Sequence, residues 1–344
     1  MYKRQTYRSP ELELNDIGFL READNIRQWA NVRYLWQKPT SWYRRANARA
    51  AQFTTYDFQG NFNRIQYDFN GNINFMNNWF VDGGYFHKPR IFINSFLRGG
   101  PRWRFSDENG GFFFFGTDER KKLRTSAGVI VSQAVQDNFS FFQVEGSIDY
   151  QPTNALSISL RPQYSVNPNK TQYVSQADNN GTTRYITGEI DQRTLSATLR
   201  VNYTINPNLT IQYYGQPFIA KGKYSNFNYV TDADAENLND RVQLYSSNQI
   251  SFSEEEGAYF VDEDGNTTID YGFGNPDFAF VQFRSNLVAR WEYIPGSELF
   301  LVWSQGITGF GEAANNFDTL IDNQLLKAKP ENTFLIKWTY RFVL

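Results

Sequence analysis

From Arg193 to Ile205 the chain alternates without a slip. Leu195, Ala197, Leu199, Val201, Tyr203 and Ile205 fall on one side, and Thr194, Ser196, Thr198, Arg200, Asn202 and Thr204 on the other. Successive side chains of a strand point to opposite faces, so this is a strand with one apolar and one wholly polar face. The pattern recurs over 64–75, where Ile65, Tyr67, Phe69, Ile73 and Phe75 oppose Arg64, Gln66, Asp68, Asn70, Asn72 and Asn74. It returns over 142–150, 156–166 and 283–293. The chain closes on it, with Phe334, Ile336, Trp338, Tyr340 and Phe342 against Thr333, Lys337, Thr339 and Arg341.

These runs reach about ten residues, the length that carries a tilted strand across a bilayer, whereas soluble sandwich strands are nearer five or six. Tight turns at Asn77-Asn78, Gln151-Pro152-Thr153-Asn154, Asn206-Pro207-Asn208 and Pro295-Gly296-Ser297 alternate with long polar stretches at 167–191, 216–277 and 305–332. Outer-membrane barrels place short turns on the periplasmic side and long loops outside. The expected fold is therefore all-β: a transmembrane antiparallel up-and-down β-barrel of about 14 strands, in a range of 12 to 16 for this class. It is read as a single domain over 1–344, possible as the C-terminal part of a longer protein. Strands are counted from Asn25 onward, with one more near Tyr2–Tyr7. Short helical turns are expected at Glu22-Ala23-Asp24 and within 318–328.

Composition fits this reading and excludes others. Phe, Tyr and Trp number 31, 21 and 8 in 344 residues, yet the mean hydropathy is -0.58. A spanning helix needs about 20 consecutive apolar residues, and the longest apolar run here is Leu299–Trp303. A net charge of -2 gives no basic face for nucleic acid. The absence of cysteine excludes disulfides and thiolate ligands. Met1-Tyr2-Lys3-Arg4-Gln5 shows no apolar leader, so an exported protein is expected to have lost its signal already.

Arg64, Asp68, Glu145, Asp149, Arg161, Arg200, Arg284, Arg290, Glu292, Lys337 and Arg341 occupy the polar side. Charges there must be hydrated or paired, so they either line a water-filled lumen or plug it with salt bridges; the sequence leaves the two open. Trp36, Tyr150, Tyr203, Trp291, Tyr293, Trp303, Trp338 and Tyr340 lie near predicted strand ends and read as headgroup-level girdles. The loop aromatics Tyr224, Phe227, Tyr229, Tyr259, Tyr271 and Phe273 are more open to a ligand role. The final aromatic strand, through Trp338, Tyr340 and Phe342 to Leu344, resembles the assembly signal of bacterial outer-membrane proteins. Acidic loops carry Asp262-Glu263-Asp264-Gly265-Asn266, which resembles part of a calcium loop but lacks the glutamate at position 12; a hydrated turn is the preferred reading. His87 is the only histidine, and no nucleophile, zinc or nucleotide motif accompanies it. No enzymatic activity, catalytic residue, metal or cofactor is assigned.

Asn15-Asp16-Ile17-Gly18-Phe19-Leu20, Asn275-Pro276-Asp277-Phe278, Gln282-Phe283-Arg284-Ser285-Asn286-Leu287-Val288, Arg290-Trp291-Glu292-Tyr293, Pro295-Gly296-Ser297 and Leu301-Val302-Trp303 carry a resemblance. The chain resembles the C-terminal barrel region of a domain-of-unknown-function family of Bacteroidota, whose members carry an N-terminal carbohydrate-binding-family-nine-like domain. The resemblance implies an outer-membrane location and glycan-related work at the cell surface, and it brings no catalytic residues. Family members are considerably longer than this chain. The expected function is a pore or uptake channel for small polar solutes; the alternative is a plugged barrel anchoring a surface binding domain or partner. Expected partners are outer-membrane lipid, the barrel-assembly machinery and a surface lipoprotein or upstream carbohydrate-binding domain.

Overall fold

The computed structural model describes residues 1–14, 16, 18, 20 and 22–342. Asn15, Ile17 and Phe19 of the amino-terminal stretch, and Leu344, therefore lie outside the described residues. The first five strands are β1 (Tyr2–Arg8), β2 (Asn25–Trp36), β3 (Tyr43–Tyr56), β4 (Phe62–Phe75) and β5 (Phe80–Ile93). After the short β6 (Trp103–Phe105) come β7 (Glu108–Gly116), β8 (Leu123–Ala134) and β9 (Ser140–Thr153). Three long strands follow: β10 (Leu156–Asn179), β11 (Thr182–Asn206) and β12 (Leu209–Val230). The segment after β12 holds α1 (Leu238–Arg241), β13 (Val242–Leu244), β14 (Ile250–Ser253), β15 (Ala258–Val261) and β16 (Tyr271–Gly274). The chain ends with β17 (Phe278–Ile294), β18 (Ser297–Gly311), α2 (Phe317–Ile321) and β19 (Glu331–Trp338).

One antiparallel sheet takes most of these strands in the order β1-β2-β3-β4-β5-β7-β8-β9-β10-β11-β12-β17-β18-β19. Fourteen strands thus pair as sequence neighbours in an up-and-down meander, while β6 and β13 pair only with β5 and β12. The tight connections Asn154-Ala155, Pro207-Asn208 and Pro295-Gly296 fall at one end of the sheet, and the tight Asn180-Gly181 turn between β10 and β11 falls at the other. Closure into a barrel is not formed: among the described residues no pairing joins β1 to β19, and both remain edges.

The long polar stretches are not loops in the way the sequence implied. Residues 167–179 and 182–191 continue β10 and β11, through register shifts at Asn169/Gln172 and Tyr173/Ser175, up to Asn179↔Thr182, and β12 runs on to Val230. At 24 and 25 residues, β10 and β11 are more than twice the 9–11 residues that cross a bilayer. Their far halves form a folded cap. Here β14, β15 and β16 make a separate small sheet, and Ile186, Phe227, Tyr245, Val261, Tyr271 and Phe273 pack into a buried cluster. A second cluster joins the 94–107 segment to the cap through Leu97, Trp103 and Ala233. The helical turn expected within 318–328 is present as α2 with a π-helical turn at Asp322–Leu326, and Leu320 packs on Ile219, Ala279 and Val281. The turn expected at Glu22-Ala23-Asp24 is not helical, and Asp24 takes a φ of 50°.

Candidate functional site

Cross-strand partners share a face of the sheet, so the register tests the two-faced reading directly. One row runs Leu123–Tyr150–Ile158–Val201–Tyr213–Leu287–Trp303–Phe334 across eight consecutive strands of the meander. The adjoining row runs Arg124–Asp149–Ser159–Arg200–Tyr214–Asn286–Ser304–Thr333 across the same strands. The first is entirely apolar or aromatic; the second is entirely polar. The apolar face is uncovered: Phe69 is 56 %, Ile148 45 %, Trp291 49 % and Ile336 72 % exposed. Soluble monomers rarely leave a contiguous apolar surface larger than a few hundred Å² uncovered.

The register places Arg64, Asp68, Glu145, Asp149, Arg161, Arg200, Arg284, Arg290, Glu292 and Lys337 on the polar face. Arg341 lies beyond the end of β19 and donates its backbone N–H to Ser297 Oγ at 2.9 Å. Many of these charges are compensated across strands. Arg161 lies 3.7 Å from Asp149, and Arg290 pairs with Glu298 and lies 3.8 Å from Glu292. Arg200 lies over the Tyr214 ring at 5.0 Å, and Lys337 over Phe300 at 5.6 Å. Gln143 donates to Glu145 at 2.7 Å, and Gln66 to Asp68 at 2.7 Å.

The sequence reading missed the cationic end of this face. Thr6–Arg27–Thr55–Arg64 form one row, and Arg33–Arg49–Asn70 another. Two cavities open along this wall. One of about 380 Å³ includes Arg4, Arg8, Arg27, Arg64 and Glu22 in its lining, and one of about 860 Å³ includes Arg33, Arg45, Arg49, Asp68 and Asp82. The signal was present as Arg45-Ala46-Asn47-Ala48-Arg49, but alanine gives the opposing face too little hydrophobic contrast to stand out. Next to this wall the alternation breaks. Phe112 and Phe114 lie on the polar face of β7, opposite Gly84 and Gly128. A Cβ on Gly84 would meet Phe112 Cε1 at 2.6 Å, and one on Gly128 would meet Phe114 Cδ1 at 1.9 Å. Glycine is thus needed for these rings to lie against the sheet.

The proposed girdle residues gather at the tight-turn end. Trp291 and Trp338 share a row through Leu299, and the Trp338 indole N–H donates to Tyr293 Oη at 2.5 Å. Trp36, Tyr150, Tyr203 and Tyr340 are exposed. So are Trp42 and Trp79, which the sequence reading passed over although both sit in the short connections of this end. Trp303 departs from the strand-end expectation: it lies seven residues into the 15-residue β18, and its ring stacks on Phe334 at 5.9 Å. Phe342 is 82 % exposed.

The loop aromatics offered as ligand contacts turn out to be cap core. Phe227, Tyr271 and Phe273 are buried, with Tyr224, Tyr229 and Tyr259 packed against them. The Tyr271 hydroxyl donates to Glu263 Oε2 at 2.5 Å, and Tyr245 and Tyr271 hydroxyls meet at 2.9 Å. Burial pushes both phenols up, and the neighbouring Glu263 carboxylate adds to the rise. Burial also pushes Glu263 up, but hydrogen bonds from Arg184, Tyr271 and Asn179 outweigh it and hold the carboxyl below its ordinary value. Arg241 is fully buried beneath the cap, and its guanidinium donates to the Arg104 carbonyl and to Ser106 Oγ. Burial and the nearby Arg104 charge push it down to about 10.

Carboxylate oxygens of Asp262, Asp264 and Asp270 lie within 4.8 Å of one another, closer than the hydrated-turn reading required. Both Asp262 oxygens, however, accept backbone N–H groups, from Asn266 at 3.0 Å and Thr267 at 2.7 Å. His87 meets Asn109 Oδ1 through Nδ1 at 2.9 Å, with the Tyr85 hydroxyl on the same oxygen at 2.5 Å. Among the described residues no serine, threonine or carboxylate hydrogen-bonds to it.

Fold and faces together define an all-β protein built on one long antiparallel meander with a polar and an uncovered apolar side. The chain belongs to the family described as Domain of unknown function (DUF5916), which it matches over residues 1–343. No curated protein and no solved structure matches it.

Proposed function

We propose that this chain forms the wall of a transmembrane β-barrel in a bacterial outer membrane. Its polar face would line a passage for small polar solutes, glycan fragments among them. The observation that carries the reading is the pair of parallel rows, one wholly apolar and uncovered, the other wholly polar. A sheet so arranged is stable where lipid covers one face and water the other. Hydrocarbon also requires every backbone group to be bonded, so closure of the two free edges is part of the proposal. Aromatic side chains at the tight-turn end would sit at the headgroup level, on the periplasmic side. Trp338, Tyr340 and Phe342 would present the assembly signal.

The cap supports a second reading, in which a plugged barrel anchors a surface binding function alongside an upstream carbohydrate-binding domain or a partner lipoprotein. Strands that rise well past the bilayer and carry their own buried core suit display at the surface. Planar-bilayer recording of the purified chain separates the two. Stepwise current is expected from the pore, and a folded, inserted chain that gives none leaves the anchor.

A further inference from the structure

Arg161 and Arg290 on the polar face are ion-paired, but four arginines of the first four strands are not. Among the described residues none of Arg4, Arg8, Arg27 and Arg64 has a carboxylate within 4.0 Å, whereas Lys88, Arg161 and Arg290 all do. Yet these four converge on one cavity of about 380 Å³, and the register fixes the convergence: Arg27 pairs with Thr6 and Thr55, and Thr55 with Arg64. Glu22 is the single carboxylate in the lining, placed near Arg8 and Arg64. Four positive charges against one negative leave the cavity strongly cationic.

Two further features point to a ligand. Trp29 lines the same cavity, and its indole N–H is buried without an acceptor. Buried donors are normally satisfied, by protein, water or ligand. Phe53 and Phe92 form apolar walls, and Arg27 lies over the Phe53 ring at 5.0 Å, which fixes the guanidinium plane. Guanidinium forks beside low-dielectric walls match oxyanions, which accept two parallel N–H donors each.

We propose that the cavity of Arg4, Arg8, Arg27 and Arg64 binds a small, multiply charged oxyanion, a phosphate- or carboxylate-bearing solute. Trp29 N–H supplies a neutral donor beside the four cations. The second cavity follows along the same wall, with Arg33, Arg45 and Arg49, and Arg49 Nε is again a buried donor without an acceptor. An anion leaving the first set therefore meets a second. The inference deepens the pore reading by naming what the passage selects.

The test is isothermal titration of pyrophosphate into the whole chain folded in detergent micelles. Saturable binding is expected, weakening as NaCl rises because salt screens charges. The double change Arg27→Gln with Arg64→Gln should weaken it at least tenfold, and Arg4→Gln with Arg8→Gln, on the exposed edge strand, should do the same without altering β4. Arg284→Gln, on a distant strand, should leave it unchanged. Absence of saturable binding, affinity in either double variant unchanged from the parent chain, or equal affinity for sucrose overturns the site. Binding without current in a planar bilayer overturns the pore and keeps the site; current without binding does the reverse.

Discussion

Replacing Val144 with Arg is expected to destabilise the protein in lipid vesicles by about 2–4 kcal/mol, the cost of a cation on the lipid face near mid-bilayer. Val144 is 43 % exposed on the apolar face of β9, opposite Tyr164 and Val129. If water covered that face, the same change would be nearly neutral, within about 0.5 kcal/mol, as for surface substitutions generally. The contrast lies on the neighbouring strand β10, on the other face. Gln163 stands opposite Glu145 on the polar face, so Gln163→Arg gains a cross-strand partner and should cost less than about 0.5 kcal/mol. Reversible urea unfolding into and out of vesicles, followed by tryptophan emission, measures both. Equal effects at the two positions would remove the distinction between the faces.

Trp103→Ala is expected to cost about 3–5 kcal/mol, the usual range for a buried tryptophan cut to alanine, but to spend it on the cap. Trp103 is fully buried; its ring stacks on Phe96 at 5.5 Å and lies beneath the Arg241 guanidinium at 5.7 Å. These contacts hold the 94–107 segment against 231–245, and neither belongs to the strands that the bilayer would cover. Limited proteolysis of the folded variant should therefore open new cleavage in those two segments while the meander stays resistant. Loss of the whole fold instead would show that cap and meander form one cooperative unit.

The strands were legible because the two environments of the sheet write themselves into alternate residues. Leu195 to Ile205 could belong to nothing else, and the succession of such runs gives the meander its strand number. The same rule explains the failures. Asn167, Pro168, Asn169 and Lys170 carry no apolar residue at alternate positions because that part of β10 stands in the cap region, so the strand looks like a loop although its pairing with β11 continues. In β3 the apolar side is Ala46, Ala48 and Ala50, too small to mark Arg45 and Arg49 as lying on a polar face. Phe112 to Phe115 hid its alternation behind four identical residues, and only the opposing glycines show which two rings turn inward. Burial of Phe227 and Phe273 depends on β14, β15 and β16 folding over them, a long-range contact with no local period.

The central claim is that lipid covers the apolar face, and Trp303 reports on it from the middle of β18. A variant keeping Trp303 and replacing the other tryptophans with Phe is folded into vesicles of lipids brominated at successive acyl positions. Strong quenching that peaks for bromines deep in the acyl chain is the predicted result. A folded, water-soluble monomer whose Trp303 emission is untouched by brominated lipid at any depth would contradict it.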